Sequence, residues 1–197
     1  MTEPAVTLPP RATDTRRPLW ITAALFILTI VYLRWQGRVW WCAAGDLSPV
    51  SLNINSEHNS QHLLDPYLLS HVLHGMLFFG LLWIFSDRLG LAWRFLIATA
   101  IELVWEMMEN SPIVIDRYRN GTVSLGYTGD SVINSIGDIL GYALGFFVAR
   151  RIGLWWSVAV IIGVELAMLF WMRDNLTLNV LMLLWPIDAI RRWQSGG

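Results

Sequence analysis

The sequence predicts an all-α integral membrane protein, a bundle of five or six transmembrane helices. Its 197 residues are 55% apolar and only 15% charged, whereas soluble proteins average about 25% charged residues. The mean hydropathy of +0.47 agrees with this excess of apolar side chains. Apolar stretches of about 20 residues, the length that crosses a bilayer, also recur along the chain. The apolar side chains therefore need lipid as their solvent.

The first predicted element is a disordered tail over residues 1–18, because this segment rich in Pro, Thr and Arg buries too little apolar surface to order itself. The first span follows at residues 19–35. A cleaved signal peptide is the alternative interpretation of this span. The long lead and the lack of a small-x-small cleavage site favour a retained helix.

Four further spans are predicted at residues 68–86, 90–110, 130–150 and 152–172. Residues 176–190 are shorter and contain Thr177, Asn179 and Asp188. This segment is either a sixth, short span or a helix in the membrane interface, and we favour the span. The predicted transmembrane domain thus covers residues 19–192.

The arginines predict the orientation of the bundle. All 14 basic residues are Arg. With six spans and a cytoplasmic N-terminus, nine of them lie on the cytoplasmic side and five on the other side, as the positive-inside rule favours. The two long loops, residues 36–67 and 111–129, then lie on the exoplasmic side. We expect any functional site there, because loops of this length are usually functional or disordered.

Composition also excludes several function classes. A net charge of −1 provides no basic surface for nucleic acid. The lack of lysine excludes P-loop and Schiff-base lysine chemistry. Cys42 is the only cysteine, so it forms no internal disulfide. Without a second cysteine we also expect no thiolate zinc site and no redox pair.

Three predicted spans each carry a polar stripe at helical spacing. The stripes are His71 and His74 on the second span; Glu102, Glu106 and Glu109 on the third; and Asp130, Asn134 and Asp138 on the fourth. In the predicted orientation all three stripes lie toward the same leaflet. Gly137, Gly141 and Gly145 form a small-xxx-small pattern beside the last stripe, which predicts close approach of a neighbouring helix.

The acids inside these spans outnumber the bases. The arginines of the predicted spans, Arg34, Arg94 and Arg150, lie near span ends. Glu102, Glu106 and Asp138 therefore have only His71 and His74 as bases deeper in the membrane. Such a cluster favours an external cation: a metal ion, protons or a substrate amine. A purely structural polar core is the alternative. Glu165 stands alone on its span, and we expect it to be a neutral, hydrogen-bonded acid.

The loop before the second span contains two further histidines, His58 and His62. Histidine with carboxylate is a usual ligand set for zinc, manganese or iron, so both are further candidate ligands. Surface loop histidines are an equally good interpretation, because no His-Glu-x-x-His pattern occurs. On the other long loop, Arg117 and Arg119 are candidates to hold a phosphate or carboxylate of a substrate. Pairing with Asp116 or with lipid phosphates is the alternative role for these arginines.

Several motifs together resemble a family of uncharacterised bacterial inner-membrane proteins that is known only as a domain of unknown function. The motifs are Trp40-Trp41-Cys42, His58-Asn59-Ser60-Gln61-His62, Asp65-Pro66-Tyr67, Ser70-His71, His74-Gly75, Trp105-Glu106, Glu109-Asn110-Ser111-Pro112, Asp116-Arg117-Tyr118-Arg119 and Gly129-Asp130-Ser131. The resemblance implies a multi-pass protein of the bacterial inner membrane and supplies no reaction.

A more distant resemblance is to the VanZ-like proteins, small membrane proteins linked to glycopeptide-antibiotic resistance. It rests on His74 with Phe78, Glu106 and Glu109, Arg117, and Asp130-x-x-x-Asn134-x-x-Gly137-x-x-x-Gly141. The chain differs in having Glu109 where that pattern prefers Gln, and in its extra histidine loop.

From these observations we hypothesise a membrane-embedded, metal-dependent hydrolase or transferase that acts on a lipid or lipid-linked envelope substrate. His71, His74, Glu106 and Asp130 would bind a divalent metal such as zinc, manganese or iron, and Glu102 or Glu109 would be the general base. Arg117 and Arg119, with Asn134 and Asp138, would bind the substrate. The alternative is a non-catalytic envelope or small-molecule-binding protein whose acids form a structural network. The sequence does not decide whether the protein is an enzyme.

Overall fold

The computed structural model describes residues 15–124 and 126–196. This part of the chain folds into eight helices and contains no strand, which confirms the all-α prediction. The helices are α1 (Arg16–Trp35), α2 (Leu68–Trp83), α3 (Leu91–Glu109), α4 (Pro112–Gly121), α5 (Val132–Ile152), α6 (Leu154–Met172), α7 (Leu176–Leu184) and α8 (Asp188–Gln194).

Helix ends differ from the predicted ones where local chemistry sets them. The first helix starts at Arg16, inside the predicted tail, and residues 1–14 of that tail lie outside the described residues. The start of α5 is set by Ser131, whose side chain accepts a hydrogen bond from Asn134 N as an N-cap. The junction of α5 and α6 falls at Gly153, whose φ of +79° is a conformation that favours glycine. Both helices therefore begin two residues later than predicted.

The second long loop contains a helix that the sequence did not predict. Ser111 caps α4 by accepting a hydrogen bond from Val114 N at 3.4 Å, and Pro112 occupies the first turn. Proline fits there because its missing N–H needs no partner at a helix start. This short helix lies beside the ends of the longer ones and forms part of the wall of the site described below.

The segment predicted as a sixth span, residues 176–190, is not one continuous helix. Residues 176–190 form α7 and the start of α8, with a break at Pro186, which cannot continue a helix. The nine residues of α7 measure about 14 Å at about 1.5 Å per residue, less than half of the hydrocarbon thickness. The alternative left open by the sequence, a helix at the membrane interface, fits these lengths.

Three of the described helices are long and apolar enough to cross a membrane: α1, α5 and α6. The apolar helix α2 has 16 residues and is shorter than that length. The remaining predicted span, α3, carries Arg94, Glu102 and Glu106. Length and composition thus support a membrane protein with three such helices.

The centre of the bundle is the contact of α2 with α5, which is made backbone to backbone. A Cβ atom on Gly75 of α2 would collide with the carbonyl oxygen of Tyr142, and one on Gly145 of α5 would collide with that of Val72. The close approach predicted from the small-xxx-small pattern is therefore confirmed. Tyr142 is fully buried, packed near Phe146, Leu82 and Ala98.

The first long loop covers one end of this bundle. The backbone N–H groups of Val132 and Ile133, which begin α5, donate to the carbonyls of Val39 and Trp40 at 2.8 and 3.1 Å. The N–H of Ser131 donates to Ser60 O at 3.0 Å. These bonds satisfy donors that a helix start leaves without partners. The loop is thereby fixed over the polar ends of the central helices.

Candidate functional site

A polar cavity of about 50 Å³ lies at the end of the bundle that this loop covers. A water molecule needs about 10–15 Å³ of such space, so the cavity has room for a few waters or an ion with its ligands. Its lining comes from α2, α3 and α5, the first long loop, α4 and α7: Asn59, Ser60, Asp65, Tyr67, Ser70, His71, His74, Trp105, Glu109, Tyr118, Ser124, Tyr127, Asp130, Asn134, Asp138, Leu176, Asn179 and Val180.

Glu102 holds the two histidines of α2. Its carboxylate accepts from His71 Nδ1 at 2.6 Å and from His74 Nδ1 at 3.0 Å. Glu102 is completely buried, and His71 is nearly so. The bond from Nδ1 assigns the proton of His71 to that nitrogen and leaves Nε2 free to accept a proton or bind a cation. Glu102 is therefore an orienting partner of His71.

The next acid along α3 has no comparable partner. Glu106 is completely buried, yet neither of its carboxylate oxygens makes a hydrogen bond within the described part of the chain. Its nearest base is His71, whose Nδ1 lies 3.5 Å from Oε1. Asp138 Oδ1 also lacks a hydrogen bond and lies 3.9 Å from His71 Nε2. A ligand atom from each of these three residues lies within 4.8 Å of the others.

Asp130 lies on the same cavity but in a different environment. Its carboxylate accepts from Tyr127 Oη at 2.9 Å and from Asn110 Nδ2 at 2.8 Å. The Asp130 N–H donates to Asn110 Oδ1 at 2.7 Å, so Asn110 bridges the end of α3 to the start of α5. Both oxygens of Asp130 are satisfied, whereas those of Glu106 are not. The metal role predicted for Asp130 thus fits Asp138 better.

Glu109 faces the cavity at the end of α3. Its carboxylate accepts from Tyr118 Oη on α4 at 3.0 Å, and the same hydroxyl lies 2.9 Å from Asn179 Oδ1 on α7. One hydroxyl hydrogen cannot serve both acceptors fully. Of the two predicted general bases, Glu109 lines the cavity and keeps spare acceptor capacity. Glu102 accepts from both histidines and is not among the lining residues.

The structure does not bring the two predicted substrate-binding arginines to the cavity lining. Arg117 Nε donates to Leu183 O at 2.6 Å and Nη2 donates to Leu184 O at 3.0 Å. These are end carbonyls of α7, which need such donors. Arg119 Nε donates to Tyr127 O at 2.5 Å. Both side chains fix local backbone, a role that the sequence analysis did not consider.

Two other predicted polar residues hold backbone in place. Asn134 lines the cavity, and its amide donates to His62 O at 2.8 Å. Glu165 accepts from the N–H groups of Leu176 and Thr177 at 2.9 and 3.2 Å, so it caps α7. Glu165 is hydrogen-bonded, as expected, through acceptor bonds that suit a carboxylate at a helix start.

Burial also raises the pKa of acidic side chains that lie outside the helices. Burial raises the pKa of Asp65, although this carboxylate accepts from Leu68 N and Ser60 N, both at 3.1 Å. Burial likewise raises the pKa of Asp174 to about 6, against hydrogen bonds from Asn175 N and Tyr67 Oη. Both groups lie at the cavity end of the bundle, where desolvation disfavours charge.

His58 and His62 do not line this cavity. They lie beside Cys42 in the first long loop, with the two imidazole rings 5.4 Å apart between centroids. The interpretation that both are surface residues is wrong for His62, which is completely buried.

The sequence alone predicts no role for Asn110, Tyr127 or Asp65, although each fixes an acid or a helix end at the cavity. Asn110 directly follows the acidic stripe of α3, and Asp65 lies three residues before α2, where it accepts from the N–H of Leu68. These positions of Asn110 and Asp65 can be recognised from the sequence alone. The contact of Tyr127 with Asp130 depends on the turn between them, which no periodicity describes.

Comparison with known proteins places these residues in a family. The family described as "Protein of unknown function (DUF2585)" matches residues 33–196. A UPF0314 protein of Paracoccus denitrificans is 46% identical over 189 residues, covering 95% of this chain and 98% of the relative. UPF0314 proteins of Agrobacterium fabrum and Sphingopyxis alaskensis are 44% and 45% identical, covering 89% and 90% of this chain and 89% and 94% of the relatives. No solved structure matches.

Proposed function

This chain belongs to the DUF2585 family of bacterial proteins, and from that premise we propose that it is a membrane-embedded, metal-dependent hydrolase or transferase. Its substrate is a lipid or lipid-linked envelope component. The metal ligands are His71, Glu106 and Asp138. The family description names no reaction, so the proposal rests on the chemistry of the cavity.

The observation that carries the proposal is the buried carboxylate of Glu106, which makes no hydrogen bond among the described residues. A buried carboxylate without hydrogen bonds is costly, and proteins avoid it by protonation or by a nearby cation. A second oxygen without a hydrogen bond among the described residues, Asp138 Oδ1, lies 3.9 Å from His71 Nε2, and the three residues form one cluster. Two carboxylates and an imidazole suit zinc, manganese or iron.

Glu102 and His74 support this ligand set. Glu102 accepts the Nδ1 proton of His71, which is the carboxylate–histidine arrangement found behind metal-binding histidines. The ring of His74 stacks on Phe78 at 5.8 Å, which limits its movement. We therefore assign His74 and Glu102 to orienting His71, and not to the direct ligand and base roles predicted for them.

A divalent ion in this cluster would act as a Lewis acid on a phosphoryl or carbonyl oxygen of the substrate. Glu109 lies on the cavity wall and is the residue we propose as general base, with Tyr118 able to donate to it or to the substrate. Trp105, Leu176 and Val180 form an apolar part of the lining. Such a wall suits the acyl or isoprenoid part of a lipid. The resemblance to VanZ-like proteins, which includes Glu106 and Asp130, agrees with an envelope substrate.

For the arginines we propose positioning roles. Arg117 and Arg119 each donate to backbone carbonyls, so they hold α7 and the turn before Asp130. The part of the substrate near the metal would instead meet the hydroxyl and carboxamide groups of the lining, such as Tyr127 and Asn179.

We propose a topology of five spans, α1, α2, α3, α5 and α6, in the bacterial inner membrane. The cavity end of the bundle contains the end of α6, and Tyr67, just before α2, binds Asp174 there at 3.1 Å. With five spans the 14 arginines divide equally between the two sides. The orientation therefore rests on the first span, because three arginines lie at its N-terminal end and two lie at its C-terminal end. The N-terminus is then cytoplasmic and the cavity exoplasmic.

Metal-dependent stabilisation of purified protein tests this function. After removal of bound metal in detergent, manganese should raise the melting temperature of the wild type, since a ligand at about 100 times its Kd stabilises by about 2.7 kcal/mol. Glu106→Gln should lose this shift, and Asp87→Asn, an exposed acid outside the cavity, should keep it. Turnover of lipids from a bacterial extract, followed by mass spectrometry, should need the same metal and Glu106. Equal shifts in the wild type and Glu106→Gln would contradict the proposal.

A structural polar network is the second candidate, and the satisfied bonds of Asp130 with Asn110 and Tyr127 favour it. In that case Glu106 and Asp138 are protonated, and the protein binds no metal there. Amide substitution at Glu106 separates the two functions. It should leave the stability of the metal-free protein nearly intact if Glu106 is a metal ligand. It should lower that stability if the carboxyl group holds the bundle together.

A further inference from the structure

We propose that Cys42, His58 and His62 form a second metal site, separate from the cavity, for an ion of the zinc class. Cys42 follows α1 by seven positions, whereas the two histidines lie 16 and 20 residues later in the same loop. The fold brings all three ligand atoms within 4.8 Å of one another. This proposal departs from the expectation that Cys42 takes no part in a zinc site, because one thiolate with two imidazoles needs no second cysteine.

The distances between these atoms match the edges of a tetrahedral site. Cys42 Sγ lies 3.2 Å from His58 Nδ1, and His62 Nε2 lies 3.4 Å from the same nitrogen. With Zn–S of about 2.3 Å and Zn–N of about 2.0–2.1 Å, tetrahedral geometry separates S and N by about 3.6 Å and two nitrogens by about 3.4 Å. Two of the three ligand–ligand distances thus lie within about 0.4 Å of those of a tetrahedral site.

The hydrogen bonds of His62 favour its role as a metal ligand. Its Nδ1 is hydrogen-bonded to the carbonyl oxygen of Ser48. A carbonyl only accepts, so the proton of the ring is on Nδ1 and the lone pair on Nε2 points toward His58. A backbone carbonyl behind the second ring nitrogen is the usual support of a metal-binding histidine. The His62 carbonyl is also fixed, by the Asn134 amide at 2.8 Å.

Asp46 is the residue we propose as fourth ligand. Its Oδ2 lies 3.9 Å from His62 Nε2, and its side chain is 46% exposed, so a small rotation brings it closer. Asp46 follows Gly45, whose φ of +83° turns the chain back toward Cys42, and Gly45 N donates to Cys42 O at 3.1 Å. The binding step displaces the thiol proton of Cys42 to solvent, while both imidazoles bind in their neutral form.

The chemistry of this ligand set differs from that of the cavity. One thiolate and two imidazoles favour zinc or another borderline-to-soft ion over magnesium or calcium. Four protein ligands leave no open position, which is typical of a structural site. The metal would tie residues 42–62 together, and the Ser60 carbonyl within this segment accepts the N–H of Ser131. It would thus stabilise the loop that covers the cavity.

Cobalt substitution in the full-length protein tests this site. Purified protein in detergent is titrated with Co²⁺, which gives a thiolate charge-transfer band when it binds a cysteine and intense visible bands in tetrahedral sites. We expect both sets of bands in the wild type and loss of the thiolate band in Cys42→Ser. Glu106→Gln should keep the band, because that residue belongs to the separate cluster with His71 and Asp138. Asn55→Ala serves as a matched control within the loop.

Protection of Cys42 from alkylation provides a measurement on the wild type alone, so misfolding of a variant cannot obscure the result. Zn²⁺ should slow alkylation of Cys42 at least about tenfold, because a bound thiolate is no longer a free nucleophile.

The proposal is overturned if Co²⁺ gives no thiolate band, if the band persists in Cys42→Ser, or if Zn²⁺ leaves the alkylation rate unchanged. Loss of the band in Glu106→Gln would contradict the independence of the two sites. Failure of the cavity proposal alone would leave the cobalt band intact.

Discussion

Glu102 and Glu106 lie one turn apart on α3 and are equally buried, yet their surroundings differ in kind. Glu102 has two imidazole donors, whereas Glu106 has no hydrogen bond within the described residues. Helical spacing alone treats these two residues as equivalent. The difference arises from the position of His71, whose Nδ1 is 2.6 Å from Glu102 and 3.5 Å from Glu106. Assigning roles within the cluster therefore needed the three-dimensional structure.

The pKa of Asp174 predicts how stability depends on pH. Burial raises this pKa from 3.8 to about 6, so the folded protein binds a proton more tightly than the unfolded chain does. The resulting stabilisation is complete below the unfolded pKa and is lost as the pH rises through about 6. The apparent Tm of the wild type should therefore rise between about pH 8 and about pH 5, and Asp174→Asn should show a smaller rise. An identical pH dependence in Asp174→Asn and the wild type would refute this prediction.

The contact of α2 with α5 depends on glycine at defined positions of the helix. On α2, a Cβ at Gly75 collides with the backbone of α5, whereas one at Gly80 meets nothing within 4 Å. Gly75→Ala should therefore destabilise the protein by about 1–3 kcal/mol or more, as overpacking does. Gly80→Ala is the matched control on the same helix and should be nearly neutral. Thermal melts in detergent compare the two, and similar effects would show that the helices do not pack this closely.

Pattern and composition predicted the helices well where hydrophobic periodicity is strong, and less well near helix ends. The start of α5 depends on Ser131 and the start of α6 on Gly153, whereas the break after α7 depends on Pro186. The polar stripes were identified from spacing, since residues three or four apart share a helix face. The contacts of Arg117 with α7 could not be predicted, because they join residues that are 66 and 67 positions apart.

The number of spans in the bundle predicts on which side of the membrane the C-terminus lies. Arg191 Nη1 donates to Asn120 O at 3.3 Å, so α8 lies beside α4 at the cavity end. With five spans the C-terminus and the loop at Asp87 are then on opposite sides of the membrane. Six spans would place both on the cytoplasmic side. Alkaline phosphatase, whose disulfides form only outside the cytoplasm, should be active when fused after residue 197 and inactive when fused after Asp87. Inactivity at both positions would support six spans instead.

With both proposed metal sites occupied, the helix bundle would hold one ion at the cavity and a second ion in the loop that covers it. The cavity ion would compensate the acids that α3 and α5 bring to His71 of α2, and the loop ion would fix the segment that covers them. Spacing alone completes neither proposed site, because it predicts a substrate role for Asp138 and no site for Cys42. Both proposed reassignments rest on side chains that the fold brings together.

The metal content of the purified protein tests the central claim most directly. The Cys42→Ser background removes the proposed loop site, so the metal that remains reports on the cavity. We expect about one zinc, manganese or iron ion per chain in that background, and a loss of at least about tenfold in affinity when Glu106→Gln is added. Asp87→Asn in the same background should keep the ion. Equal metal content with and without Glu106→Gln, or no bound metal in protein that turns over its lipid substrate, would contradict the account.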